Sequence, residues 1–562
     1  MTLLSRPLCA ALAAAFLSAG CATRPTAPIE INLVALNDFH GHLDSTKFQY
    51  NSIHTSGQQT EQAGGIDTIA AAVQAWRKED KDLLFVGAGD LIGASPAMSS
   101  MWADEPALEA LTLAGMRISS VGNHEFDNGR AELLRQQRGG CESARPEKAC
   151  QFTPDFRGAG FTYLAANVID DATGKPFLPA YRIEDIKGVK VGLIGAVLRN
   201  TASVVLASGI AGLTFEDEAS AINRVIPAMR AQGAQVFVVL IHEGGQTPEP
   251  FDKPDCSALK GPIVDIVKKL DPAIRVIVSG HSHTGFQCKV DGRVVTQGDM
   301  GGHVLSRIKM MVDPASGAVG EIGVRNVVMK PGQYPPDERV SAYLTQARER
   351  SEAALARPVA RVAVRSIDRK ESAGGETVLG GLIADAVLAA TKPQGAQIGF
   401  MNMGGMRQDL DVGASLTATY GDVQIVLPFG NTIVVMDMTG AQIRALLEQQ
   451  WARPEASTVS VLQVSEGFRY RWNPAAPRGQ RVIRDSVTLN GKVLDDAAVY
   501  RVAGNNFLAE GGDSFPAFAA AANKRNTQIR DIDAVVQFLI KQDKAGKPVG
   551  ATAPAGRIGT VQ

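Results

Sequence analysis

Neither sign of charge prevails in this 562-residue chain: 57 Lys and Arg stand against 58 Asp and Glu, a formal net charge of −1. A nucleic-acid polymer or an acidic membrane surface is therefore not expected as a partner, and recognition of any anion must come from local groups. Aromatic residues are scarce, at 6% of the chain. The six cysteines include no Cys-x-x-Cys pair, which argues against a thiolate metal site. No internal repeat or low-complexity tract stands out, so solenoids and disordered arrays are excluded. What is present, 45% hydrophobic and 20% charged residues, suits a soluble globular protein. At this length one apolar core does not suffice, and two sizeable domains are expected.

The first residues read as a targeting segment. Arg6 precedes an apolar stretch, 8–17, too short to span a bilayer, and the stretch ends in Ser18-Ala19-Gly20-Cys21. That ending resembles a bacterial lipobox, with Cys21 as the lipidated first residue of the mature chain, although Ser18 stands where Leu is usual. Residues 1–21 are thus read as leader and 22–28 as a tether. Export to the periplasm or cell envelope is expected, with the lipid as the only membrane contact, and the chain is expected to be a monomer. In an oxidising compartment Cys141, Cys150, Cys256 and Cys288 suggest two disulfides, with three connectivities open. Cys141 and Cys150 flank a short polar loop and are paired, which leaves Cys256 for Cys288.

In the N-terminal half one pattern recurs: a short apolar run, then a polar, Gly-rich loop. Run 31–36 leads into Asn37-Asp38-Phe39-His40-Gly41, and 83–86 into Gly87-Ala88-Gly89-Asp90. Run 118–121 leads into Gly122-Asn123-His124-Glu125, 236–241 into His242-Glu243-Gly244-Gly245, and 276–278 into Ser279-Gly280-His281-Ser282-His283. Continuous apolar runs bounded by Gly predict strands buried on both faces, and helices are predicted over 66–77, 219–232 and 262–270. This is an α/β domain, 29–334, whose strand-end loops gather along one edge. Pro335-Pro336 opens a charged, Ala-rich linker helix within 335–357. A second α/β domain, 358–562, follows, with a helix over 380–390, a strand over 432–438 and a capping-box helix start at Thr439.

Five of the eight histidines stand in the strand-end loops, beside Asp38, Asp90 and Asn123. Carboxylate, amide oxygen and imidazole suit Zn, Mn or a similar divalent ion. Two metals about 3.5–4 Å apart need one bridging oxygen ligand, and Asp90, alone in its loop, fits. Asp38, His40 and His283 would complete one site; Asn123, His242 and His281 the other. His124 is left over, with Asp127 three residues on to hold its imidazole, and would stabilise phosphate charge or protonate a leaving oxygen. His42, His54 and His303 are read as non-ligands, His42 as a neighbour of the ligands.

These motifs, Asp-x-His, Gly-Asp, Gly-Asn-His-Glu, His-Glu and Gly-His-x-His, resemble the calcineurin-like metallophosphoesterases over about residues 30–310. The second half is similar to the 5′-nucleotidase C-terminal domain through Asn402-Met403-Gly404-Gly405-Met406-Arg407, Leu427-Pro428-Phe429-Gly430-Asn431 and Phe507-Leu508-Ala509-Glu510-Gly511-Gly512-Asp513. The resemblance implies a four-layer αββα domain, a linker helix and a substrate-binding α/β domain that rotates to carry nucleotide to two metals. It further implies that Phe429 and Phe507 sandwich the base and that Asp513 takes the ribose hydroxyls. Asn402, Gly405 and Arg407 would face ribose and phosphate, with Arg369 as a further substrate arginine. Two apolar rings stack on any base, a carboxylate accepts vicinal hydroxyls and a guanidinium forks onto phosphate. Both rings lie far in sequence from the metal motifs, so they are expected to touch only the base. The implied activity is 5′-nucleotidase. Alternatives are a 2′,3′-cyclic phosphodiesterase/3′-nucleotidase, a UDP-sugar hydrolase, a thiosulfate-handling relative, or a lipoprotein that only binds nucleotide.

Overall fold

The computed structural model describes residues 27–452 and 461–561. The expected leader and Cys21 lie outside the described residues. Among those that are described, no helix is long and apolar enough to cross a membrane.

The N-terminal half holds two six-stranded sheets. In the first, Ile29–Leu36, Leu84–Ala88, Met116–Ser120 and Thr162–Leu164 run parallel, flanked by Val304–Val312 and Val319–Val328. In the second, Val189–Val197, Val236–His242, Ile274–Val278 and Arg293–Gln297 run parallel between antiparallel edges. The unbroken apolar runs follow from burial on both faces. Ile31, Leu33 and Ala35 pack with Val236, Val238 and Leu240 in one core between the sheets. Val34 and Leu36 turn outward to Ile66–Glu79 and its neighbouring helices, while Phe237, Val239 and Ile241 turn to Glu218–Ala231 and Pro262–Lys269. The order of layers is helix, sheet, sheet, helix.

Helix ends shift by a residue or two from the sequence expectation, and two of the helix starts are set by a side chain that accepts from a free N–H group. Asp217 caps Glu218–Ala231 by accepting from Ser220 N, and Thr377 caps Val378–Thr391 by accepting from Gly380 N. At Thr439 both halves of the capping box form ahead of Gly440–Glu448. The helix Glu338–Leu355 leans on the first domain: Val340, Leu344 and Ala347 join its core, and Trp102 Nε1 donates to Ser351 Oγ at 3.1 Å.

Beyond it, a five-stranded sheet runs in the order Gln463–Val464, Ile398–Met401, Val499–Asn505, Thr432–Thr439, Ala522–Arg530. Val378–Thr391 and Asp531–Lys544 cover one face, and Gly440–Glu448 with the strand Phe468–Trp472 covers the other.

Disulfides join Cys141 to Cys150 and Cys256 to Cys288. Non-reducing peptide mapping of purified protein is expected to return these two pairs; a crossed pair or free thiols would contradict the fold at both loops.

Candidate metal and nucleotide site

The carboxyl ends of parallel strands from both sheets point to one edge, and their loops close over a shared volume. Asp38 and His40 follow Ile29–Leu36, Asp90 follows Leu84–Ala88, and Asn123 and His124 follow Met116–Ser120. From the second sheet, His242 ends Val236–His242, and His281 and His283 follow Ile274–Val278. Asp38, His40, Asp90, His281 and His283 all have φ between 46° and 75°. Non-glycine residues enter this left-handed region only where the surroundings hold them there. Convergence also needs two glycines as floor: a Cβ on Gly122 would stand 2.1 Å from Asp90 Oδ1, and one on Gly280 would stand 2.8 Å from His242 Nδ1.

The donor atoms form overlapping groups. Asp38, His40 and His283 converge, as do Asp90, His242 and His281, each group with its atoms within 4.8 Å of one another. His283 Nε2 lies 3.4 Å from Asp38 Oδ1, and His40 Nε2 lies 3.1 Å from His283 Nε2 and 3.8 Å from Asp90 Oδ2. His242 Nε2 is 2.9 Å from Asp90 Oδ2 but is not aligned to hydrogen-bond to it, and Asn123 Oδ1 is buried without a partner. His242 Nε2 and Asn123 Oδ1, buried and without a hydrogen-bond partner among the described residues, fit cations placed between these groups. The other ring nitrogens face carbonyls, His40 Nδ1 at 2.9 Å from Gly93 O and His242 Nδ1 at 2.8 Å from Ala88 O. Donation there fixes the tautomer and leaves Nε2 as lone-pair donor toward the site.

His124 stands beside these groups. Its Nδ1 is 2.7 Å from Asp127 Oδ2, and its backbone N–H donates to Asp90 Oδ1 at 2.9 Å. Burial acts most strongly on its imidazole and opposes protonation, yet the Asp127 and Asp90 carboxylates outweigh it and hold the pKa above the ordinary value. The ring also belongs to a further cluster with His40 and Asp90.

Glu125, part of the Gly-Asn-His-Glu run but given no role from sequence, organises the Asp90 loop. Its carboxylate accepts from Asp90 N at 3.0 Å, Leu91 N at 2.8 Å, Gly122 N and, at 3.3 Å, Tyr163 Oη. The signal was an acidic residue beside His124 in an apolar context. His42 is buried with Nδ1 unpartnered; it shares a cavity wall with His40 and His283 and feels His283, and no hydrogen bond joins it to either among the described residues.

A cavity of about 370 Å³ runs from His124 and Asn123 to the C-terminal domain. Asn402, Gly405, Arg407, Phe429, Phe507 and Asp513 line it from that side. Neither ring belongs to an apolar core cluster. Gly512 lies flat beneath Phe507, where a Cβ would stand 2.4 Å from the ring. A relay Asn505–Asn402–Asp513, with bonds of 3.0 and 2.7 Å, orients the carboxylate. Arg407 is half-buried, lies over Phe429 at 5.9 Å, and feels Asp90, Asp127 and Asp38. Arg369 stands apart, in an adjoining cavity of about 260 Å³ that also touches Arg407, donating to Met406 O at 2.8 Å. Phe429 departs from expectation: its ring stacks on His124 at 5.7 Å and 21°, so it touches the catalytic end as well. Distance along the sequence concealed the closeness of the two domains.

The family profile described as Calcineurin-like phosphoesterase matches residues 31–285, and that described as 5′-nucleotidase, C-terminal domain matches 356–520. The chain belongs to the 5′-nucleotidase family. Members join a metallophosphoesterase domain to a nucleotidase C-terminal domain, and this chain is thereby a metal-dependent phosphoric ester hydrolase by descent. It is similar to "Endonuclease YhcR" of Bacillus subtilis, 30% identical over 96% of this chain but 42% of that protein, so it spans less than half of that relative. It is also similar to "Cell wall protein Lmo0130" of Listeria monocytogenes, 29% identical over 96% of this chain and 70% of that one. Among solved structures, the 5′-nucleotidase precursor of Thermus thermophilus aligns with TM-score 0.74 and 26% identity, over 95% of this chain and all of that one.

Two substitutions separate ligand from acid. Asp90→Asn is expected to lose bound metal together with nearly all turnover. His124→Ala is expected to keep its metal content while turnover falls about 10²–10⁴-fold; metal loss in that variant would make His124 a ligand.

Proposed function

We propose that the protein is an exported 5′-nucleotidase that removes the terminal phosphate of nucleotides at a two-metal centre. The observation that carries this reading is a single cavity with convergent carboxylate, amide and imidazole donors at one end and two unpacked rings with an oriented carboxylate at the other. The lipobox-like leader and the two disulfides support export.

In this reading Asp38, His40 and His283 hold one cation, Asn123, His242 and His281 the other, and Asp90 both. Cations held there would supply Lewis-acid charge to the phosphoryl oxygens and to an attacking water. His124 places its Nε2 toward the reacting phosphate, while Asp127 fixes Nδ1–H and stabilises the imidazolium. Arg407, whose guanidinium makes no hydrogen bond among the described residues, forks onto phosphate oxygens. Asp513 accepts the ribose hydroxyls and Phe429 and Phe507 clamp the base. Residues 29–334 thus carry the chemistry, 335–357 connect, and 358–562 select the substrate.

Phe507→Ala tests nucleotide selection, since among the described residues that ring, unlike Phe429, stacks on no group of the metal end. Losing one stacked base, about 1–3 kcal/mol, is expected to lower kcat/KM for a nucleoside 5′-monophosphate by about 5- to 150-fold while sparing a small aryl phosphate. Phe429→Ala is expected to lower both, because it also supports His124. Equal loss on both substrates in Phe507→Ala would remove the clamp from the account.

A further inference from the structure

The Cys141–Cys150 loop enters the same cavity. It brings Arg145, Glu147 and Lys148 to the cavity wall beside Arg530 of the C-terminal domain. The loop is pinned in place. Glu105 accepts the backbone N–H of Cys150, Ser143 Oγ donates to Glu132, Arg135 pairs with Glu105 and Glu132, and the disulfide closes the base. Such a loop holds its side chains in fixed directions without help from a ligand.

Of the three cations gathered there, two are engaged: Arg145 pairs with Glu132 at 2.8 Å and Arg530 with Asp533 at 2.8 Å. Lys148 is not. Among the described residues its half-buried ammonium makes no hydrogen bond and no ion pair, although Asp104 and Glu147 lie near. Asp104 is already taken by Ser99 Oγ at 2.8 Å. Burial is the main cause that lowers the Lys148 pKa, with Arg145 and Arg530 adding to it. A partly desolvated cation with no counter-ion, facing a ligand cavity, gains from an anion that completes it.

The corner lies at the base end. The charges acting on Lys148 are Arg145, Asp104, Arg530 and Glu147, whereas those on Arg407 are Asp90, Asp127, Arg369 and Asp38. Arg530 pairs in register with Thr432, directly after the Phe429-Gly430-Asn431 turn, and Asp531 N donates to Asn431 O at 2.8 Å. A nucleotide with its phosphate at the metal end and its base between the rings would turn the outer edge of the base toward Lys148 and Arg530.

We propose that Lys148, with Arg530, forms a subsite for a carboxylate carried on the nucleobase, so that carboxylated nucleoside 5′-monophosphates are preferred over their plain counterparts. The proposal rests on the nucleotidase reading and narrows its substrate class. Phosphate on the ribose is a poorer occupant, because Asp513 stands at the ribose end of the cavity.

The test uses matched substrates with the metal-loaded full chain, each with its carboxylate on the edge of the base away from the ribose: uridine 5′-monophosphate against its 5-carboxy derivative, and adenosine 5′-monophosphate against its N6-succinyl derivative. Adenosine 3′,5′-bisphosphate serves as a control for a ribose-borne charge. Wild type is expected to favour the carboxylated member of each pair. Lys148→Met is expected to reduce that ratio by about tenfold, and Lys148→Arg to restore most of it. A ratio unchanged by Lys148→Met overturns the subsite, as does a loss shared equally by both members or an effect confined to the bisphosphate. If no nucleoside monophosphate is hydrolysed, the nucleotidase reading falls. The subsite is then judged separately by equilibrium binding of the N6-succinyl nucleotide to wild type and Lys148→Met, where equal affinity overturns it.

Discussion

Two carboxylates, Asp38 and Asp90, lie almost without solvent exposure among five imidazoles where the two N-terminal sheets meet. Burial is the strongest single influence on both and would push them toward protonation. The surrounding imidazoles overcome it, so both stay below the usual carboxylate range, Asp38 at about 2. Much of the N-terminal half serves to hold these charges. The inter-sheet core fixes the strand ends, Gly122 and Gly280 let the loops approach, and the Glu125 carboxylate ties the Asp90 loop to the Gly122 turn. His242 Nε2 and Asn123 Oδ1 are buried without a hydrogen-bond partner among the described residues, and cations that complete them would couple the local stability of this edge to metal loading.

The same constraint explains the backbone. Asp38, His40, Asp90, His281 and His283 adopt left-handed conformations within loops anchored by short apolar strands. Strain of this kind persists because a packed double sheet over-determines the loop ends. Among the described residues the C-terminal domain holds no comparable cluster of His, Asp and Glu donors. Its part is shape: two rings outside any apolar core, a carboxylate oriented by Asn402, and glycine beneath Phe507. In the proposed reading chemistry and selection belong to different domains; residues of both line one cavity, where Phe429 stacks on His124.

Much of the first domain was legible in sequence, because its information is local. An apolar run ended by glycine and followed by Asp or His states both the strand and the position of the ligand, and the capping box at Thr439 states a helix start. Arrangements set by distant segments were not legible. Nothing near Phe429 announces that it meets His124, nothing in 338–355 says which domain that helix leans on, and the polar Cys141–Cys150 loop carries no sign that Lys148 turns into the cavity. Glu125 lies between these cases: its position beside His124 was visible, but its backbone partners sit in another loop.

The central claim is that loops from both sheets build one two-cation centre bridged by Asp90, with His124 outside it. Anomalous X-ray scattering from crystals loaded with Mn addresses this directly. The account predicts two peaks, with the Asp90 carboxylate ligated to both, Asp38, His40 and His283 around one, and Asn123, His242 and His281 around the other. A single peak, or a cation ligated by His124, would contradict it.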